Sequence, residues 1–146
     1  NSEENSKKLT LSHVVPDLIL KTMMSEDSLE ILGNGNQIRH YTYGEDLAKG
    51  IVILLDHENA KNDDFNLSTS ESTTVLDLAE KIWKKLKPDK EFKYTCTDPY
   101  EYDVQKRIPS TVKAKELLDF EAETTLDEML DIVIPWIKEA HQKGFY

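Results

Sequence analysis

The chain has one cysteine, Cys96, and only two arginines, Arg39 and Arg107, among 146 residues. A single cysteine excludes an internal disulfide and leaves no thiolate cage for a metal. Cys96 reads as a buried or half-buried thiol in a reducing, cytoplasmic setting. No run approaches the ~18 consecutive apolar residues of a membrane span, and no signal-peptide pattern opens the chain. Positive charge is scarce: 18 basic against 28 acidic side chains give a formal charge of −10. A surface of that sign repels nucleic acid at long range, so no nucleic-acid or membrane partner is expected. It also repels a phosphorylated ligand, so a phosphate site has to be built locally. Glycine-rich turns of the dinucleotide or P-loop type are missing, and no serine sits in a nucleophile elbow. His13, His40, His57 and His141 are too scattered for a metal set. The residues alone present no catalytic constellation and no metal site.

The length suffices for one domain with a core. Apolar residues make up 38% of the chain, which suits a small domain or a piece that packs against something else. Asn1 stands where Met is usual, which predicts a chain cut or processed from something longer. Residues 1–10 are mostly polar and are expected to be disordered or poorly packed; 11–146 are expected to form one domain. Val14, Val15, Leu18 and Ile19 predict a helix with Pro16 in its first turn. Leu29–Leu32 reads as a strand ending in the turn cluster Gly33-Asn34-Gly35-Asn36, and Gln37–Tyr43 reads as a second strand. Glu45–Glu58 predicts a helix with Leu47, Ile51, Leu54 and Leu55 as its core stripe. Asp64–Leu67 reads as a short strand. Thr74 and Asp77 mark a helix start, and Pro88 ends that helix. Phe92–Thr97 reads as a strand, Asp98–Arg107 as a loop bearing tyrosines, and Ser110–Leu118 as a short helix. Thr125 and Glu128 predict the capping box of a last helix that contains Pro135 and stops before Gly144. The fold class is therefore α/β: a small mixed lobe, with too few apolar strands for a complete doubly wound domain.

Sixteen lysines against two arginines suggest that each arginine is placed for geometry. A guanidinium offers a planar fork of donors that matches phosphate oxygens two at a time. Arg39 follows a Gly-Asn-Gly turn that can aim it, and Arg107 precedes Ile108-Pro109, which stiffens the chain. As surface side chains the two would serve only in ion pairs.

Four stretches resemble the C-terminal, nucleotide-sugar-binding part of the NAD-dependent epimerase/dehydratase family, the extended short-chain dehydrogenase/reductases. Gly33-Asn34-Gly35-Asn36-Gln37-Ile38-Arg39-His40-Tyr41-Thr42-Tyr43-Gly44-Glu45-Asp46 is similar to the family's Gly-Asp/Asn-Gly-x-Gln-x-Arg-Asp-Phe/Tyr-x-Tyr-Val-x-Asp. Phe65-Asn66-Leu67-Ser68 resembles its Tyr-Asn-x-Gly/Ser step, and Val75-Leu76-Asp77-Leu78-Ala79 its Leu-Ala helix. Arg107 to Phe120 resembles Arg-x-Pro-Asp-x-x-Lys-Ala-x-x-Leu-Gly-Trp/Phe. Three positions depart: His40 and Ser110 stand where aspartate is usual, and Asp119 where glycine is. The family often has a second phosphate-binding arginine at the position of Tyr100.

The resemblance implies a substrate-binding fragment of a nucleotide-sugar 4-epimerase, with 4,6-dehydratase or decarboxylase as alternatives. It implies that Arg39 clamps a nucleotide-sugar diphosphate, that Asn66 bonds near it, and that Glu30 to Leu32 offer backbone to the base. The loop from Tyr100 to Arg107 would close over the phosphates and sugar, with Arg107 compensating for the arginine lost at Tyr100. NAD would belong to the parent protein, a homodimer, and be bound by a missing N-terminal domain rather than by this fragment. The catalytic Tyr-x-x-x-Lys pair would lie there too. A reading of another class is a non-catalytic protein-interaction domain using Tyr94, Tyr100, Tyr102 and the acidic surface. An acidic module with no ligand is a third. An exposed apolar patch favours the enzyme reading over the second, and convergence of Arg39 with Arg107 favours it over the third.

Overall fold

The computed structural model describes residues 13–99 and 101–145. The segment assigned above to 1–10, and Tyr100, lie outside the described residues.

Helix α1, Val14–Met24, buries Leu18, Ile19 and Thr22. The buried hydroxyl of Thr22 donates to the Leu18 carbonyl at 2.7 Å, so it costs the core little. Strand β1, Leu29–Leu32, alternates buried and exposed residues, with Leu29 and Ile31 facing in. It pairs in parallel with β4, Tyr94–Thr97, in the register Leu29 to Tyr94 and Leu32 to Thr97. A second pair is antiparallel: β2, Ile38–Arg39, lies on β3, Thr73–Thr74. Helix α2 is Gly44–Asp56 and runs into a single 3₁₀ turn at Glu58–Ala60. Helix α3 is Val75–Leu86, α4 is Val112–Leu118 and α5 is Leu126–Gln142.

The main core lies between α1, β1, α3 and α5. Leu78, Ile82 and Trp83 of α3 meet Ile19 of α1, Ile31 of β1 and Leu130, Ile134 and Ile137 of α5. The three- and four-residue spacing of these side chains gives each helix one apolar face. Helices α3 and α5 are capped as their sequences require. Thr74 accepts from the Asp77 backbone N–H at 3.0 Å, and Thr125 and Glu128 close a reciprocal box at the start of α5. A smaller core joins Ala114, Leu118 and Phe120 to Ile53, Leu54, Phe65 and Leu67.

Four expectations are corrected. The inward face of α2 is Asp46, Gly50, Ile53 and Leu54, while Leu47, Ile51 and Leu55 of the predicted stripe are exposed. Gly50 is turned inward because it packs where a side chain would collide: a Cβ there would lie 2.8 Å from the Phe120 ring. Cys96 is exposed on β4, which among the described residues pairs only with β1. Asp64–Leu67 has no strand partner among the described residues; Phe65 and Leu67 anchor it through the small core instead. The Gln37–Tyr43 strand shrinks to Ile38–Arg39, since β3 has only two residues to pair with it.

Asp46 holds the first turn of α2. Its Oδ2 accepts from the Thr124 backbone N–H at 2.8 Å, and Oδ1 lies 3.5 Å from Lys49 Nζ. Burial pushes this carboxyl up, but the Thr124 hydrogen bonds and Lys49 outweigh it and hold it below the usual carboxylate range. A depressed carboxyl contributes stability above its unfolded value and loses it as pH falls through the folded value. Asp46→Ala is therefore expected to cost about 1–3 kcal/mol at pH 7, by orphaning the Thr124 N–H. The gap to the parent chain should narrow below about pH 4, as measured by urea titrations across pH. An equal gap at pH 7 and pH 2.5 would rule this out.

Candidate functional site

Ile38 is a backbone node. Its N–H donates to the Gln105 carbonyl at 2.8 Å, and its carbonyl accepts from the Arg107 N–H at 3.1 Å. These bonds make a parallel bridge between Ile38 and Lys106. The residues that follow each partner are Arg39 and Arg107, so the two arginines emerge side by side. Both line one cleft of about 400 Å³, with His13, Val14, Val15, His40, Tyr41 and Pro109. Convergence separates this arrangement from a module whose arginines make scattered ion pairs.

The turn Gly33–Asn36 sets the approach to this node. Gly33 and Gly35 have φ of 69° and 74°, the left-handed region that side chains disfavour. A Cβ on Gly33 would meet Gln37 Nε2 at 2.6 Å. Buried Gln37 donates from that nitrogen to Asp103 Oδ2 at 2.7 Å and to the Leu32 carbonyl at 3.3 Å. Asp103 Oδ1 lies 3.5 Å from Arg39 Nη2, and Arg39 Nη1 donates to the Ile38 carbonyl at 2.8 Å. The guanidinium is thus aimed from two sides and keeps further donors. Asp103 is a positioning residue that the sequence pattern does not mark; only contact between residues 39 and 103 reveals it.

His40 is fixed by two bonds. Nδ1 lies 2.7 Å from the Thr69 carbonyl, which can only accept, so Nδ1 carries the proton. Nε2 lies 2.9 Å from the Ser72 hydroxyl, which can donate or accept. Tyr41 Oη is buried without a hydrogen-bond partner. Burial pushes its phenol up to about 12 against the opposing charge of Arg39. It stays protonated at neutral pH and cannot serve as a base there.

Asn66 donates from Nδ2 to the Ser110 carbonyl at 3.1 Å, which ties it to the chain just past the cleft residue Pro109. Glu30 and Leu32 are exposed on β1, outside the lining of this cleft. Tyr100 lies outside the described residues. The one Tyr-x-x-x-Lys spacing, Tyr102 to Lys106, falls on an irregular loop with Tyr102 86% exposed, so no helix sets the two on one face. The Gly33–Gly35 turn leads into β2 rather than into a helix, and so lacks the helix N-terminus on which a dinucleotide pyrophosphate rests. This turn is therefore not of the dinucleotide-binding type. They can hold an anion by two guanidinium groups in a molecule that is negative elsewhere.

A family model described as GDP-mannose 4,6 dehydratase matches residues 1–133. A UDP-glucuronic acid decarboxylase of Arabidopsis thaliana is 33% identical over 119 residues, 80% of this chain and 26% of the relative. A UDP-glucose 4-epimerase of Thermotoga maritima, solved with UDP-glucose, superposes with a TM-score of 0.77 at 28% identity, covering 89% of this chain and 40% of that one. A UDP-glucuronic acid 4-epimerase of Bacillus cereus, solved with NAD, superposes at 0.72 with 25% identity, covering 88% and 40%. The chain spans well under half the length of each.

Proposed function

Because the chain belongs to the GDP-mannose 4,6 dehydratase family, among the NAD-dependent nucleotide-sugar epimerases, dehydratases and decarboxylases, we propose that it is the substrate grip of a nucleotide-sugar 4-epimerase. The observation that carries this reading is the meeting of Arg39 and Arg107 at one cleft. In it the two guanidinium groups take the diphosphate, and His13 and Tyr41 border the path toward the sugar. Asp103 keeps Arg39 turned to the cleft, and Asn66 holds the chain at Ser110 in place. NAD and the proton-transfer groups belong to the counterpart of the portion of the relatives that this chain does not match. No step of the redox chemistry is assigned to the residues here.

A second reading has one observation in its favour: the 33% identical relative is a UDP-glucuronic acid decarboxylase. Product analysis separates the two. The full-length enzyme given UDP-glucose should invert C4, whereas a decarboxylase given UDP-glucuronic acid releases carbon dioxide.

Arg39→Ala in that enzyme is expected to lower kcat/KM by roughly 10- to 100-fold, the equivalent of one charge-assisted grip. The change should fall mainly on KM, because the diphosphate is held in ground and transition states alike. Arg39→Lys should recover only part of it, since lysine keeps the charge and loses the fork. Steady-state kinetics in which both Arg39→Ala and Arg107→Ala leave KM unchanged would remove the grip from this cleft.

A further inference from the structure

The antiparallel register of β2 on β3 pairs Ile38 with Thr74 and Arg39 with Thr73. Extended by one residue, it sets His40 opposite Ser72, and opposite residues of an antiparallel pair share one face. Their side chains meet there, with Ser72 Oγ 2.9 Å from His40 Nε2. The ring is oriented through its other nitrogen, which lies 2.7 Å from the Thr69 carbonyl. Thr69 is buried and itself tied down: its N–H donates to Thr42 Oγ1 at 3.1 Å, and its Oγ1 accepts from the Glu71 N–H at 3.2 Å. With the proton on Nδ1, the neutral ring presents Nε2 to Ser72 as an acceptor. A hydroxyl bonded to a base that a third group orients is the arrangement that makes a serine nucleophilic. Ser72 is exposed, so a reagent can reach it.

We propose that Ser72 is an acyl-accepting nucleophile with His40 as its general base, and that it takes small uncharged esters. The pocket in front of it selects that class. It holds about 290 Å³, with Ser72, Asp77, Glu80, Lys81 and Lys84 in its lining. The charges around it are already matched. Glu80 lies 2.6 Å from Lys84, and Lys81 pairs with Asp127. Asp77 accepts from the Thr74 hydroxyl at 2.6 Å, and Glu71 from the Leu126 N–H at 3.2 Å. An ionic reagent would have to break one of these pairs, whereas an uncharged ester need not. In the reaction, Ser72 Oγ forms a bond to the acyl carbon and its proton passes to His40 Nε2. The ester C–O bond then breaks, and Nε2 returns the proton to the departing alkoxide, which leaves as the alcohol. The product is an acyl-serine, formed with no change of oxidation state. Ser72 lies outside the lining of the arginine cleft, so this activity goes beyond the grip proposed above.

The test treats the chain with p-nitrophenyl acetate, follows nitrophenolate release by absorbance, and locates the acetyl groups by peptide mass mapping. Ser70, exposed two residues away, is the internal reference. A positioned general base contributes at least ~100-fold, so Ser72 is expected to acetylate at least ~100-fold faster than Ser70. Ser72→Ala should remove this fast phase and leave the slow acetylation of lysines. His40→Gln should slow Ser72 to the rate of Ser70. Its amide can still donate to the Thr69 carbonyl, and an unchanged melting temperature would show that the fold is kept. The comparison of Ser72 with Ser70 needs no variant, so it decides the matter even where His40→Gln destabilises the chain. Acetyl groups confined to lysines, or a Ser72 rate equal to that of Ser70, would overturn the proposal. So would a fast phase that survives His40→Gln in a folded chain.

Discussion

Trp83→Ala is expected to cost the fold about 3–5 kcal/mol, a large share of the roughly 5–15 kcal/mol that holds a domain together. The ring is fully buried in α3, at the centre of the main core. Its Nε1 donates to the Lys90 carbonyl at 3.1 Å, pinning the loop that returns toward β4. Phe92 packs against it with ring centres 5.9 Å apart, and Lys87 Nζ lies 4.6 Å over its face. Alanine leaves a cavity the size of an indole and loosens that loop at once. Denaturant unfolding is the measurement, and the melting temperature should fall by about 10 °C or more. Trp83→Phe keeps most of the volume but loses the Nε1 bond, and should cost only about 1–2 kcal/mol. A loss below about 1 kcal/mol for the alanine variant would mean that the core closes around something else.

The second large effect concerns affinity. The chain alone is expected to bind UDP-glucose or a GDP-sugar with a Kd of ~1 mM or weaker. Two charge-assisted grips contribute roughly 3–6 kcal/mol net, while immobilising the ligand costs ~4 kcal/mol or more. The surplus is small, and Asp103 competes for Arg39 at 3.5 Å. Calorimetry of residues 1–146 with UDP-glucose settles the point. Micromolar binding would show that the arginine cleft is a complete site, and the picture of a half-site would fall.

Much of the fold was legible where local chemistry decides. Thr74 and Thr125 caps, the Gly33–Gly35 turn and the extended run Leu29–Leu32 each require only near neighbours, and each is found where the residues put it. Helix α2 was placed but misaligned. Its five apolar residues fit two faces equally, and the choice fell to Gly50 against Phe120 and Asp46 against Thr124, partners some seventy residues away. Asp64–Leu67 looks like a strand by composition, but a strand needs a second edge, and none of the described residues supplies one. Cys96 failed for a related reason: burial depends on what lies across β4, which no local pattern reveals.

The site divides in the same way. The sparse arginines pointed to Arg39 and Arg107, and the structure brings them together. The loop carrying Arg107 was expected near the ligand, but the bridge from Ile38 to Lys106 had no signal of its own. Asp103 and the paired His40 nitrogens likewise become visible only in three dimensions.

The Ile38 node bears on how such a grip tolerates change over generations. The spacing of the two guanidinium groups is set by the Ile38 N–H and carbonyl, groups that every non-proline residue carries. Side chains at 38 and 106 can therefore drift widely without moving Arg39 relative to Arg107. Proline at 38 or 107 is different, since each would delete one of the two main-chain rungs. Descendants of this lobe should thus diverge freely in the residues beside the arginines while keeping proline out of those two places.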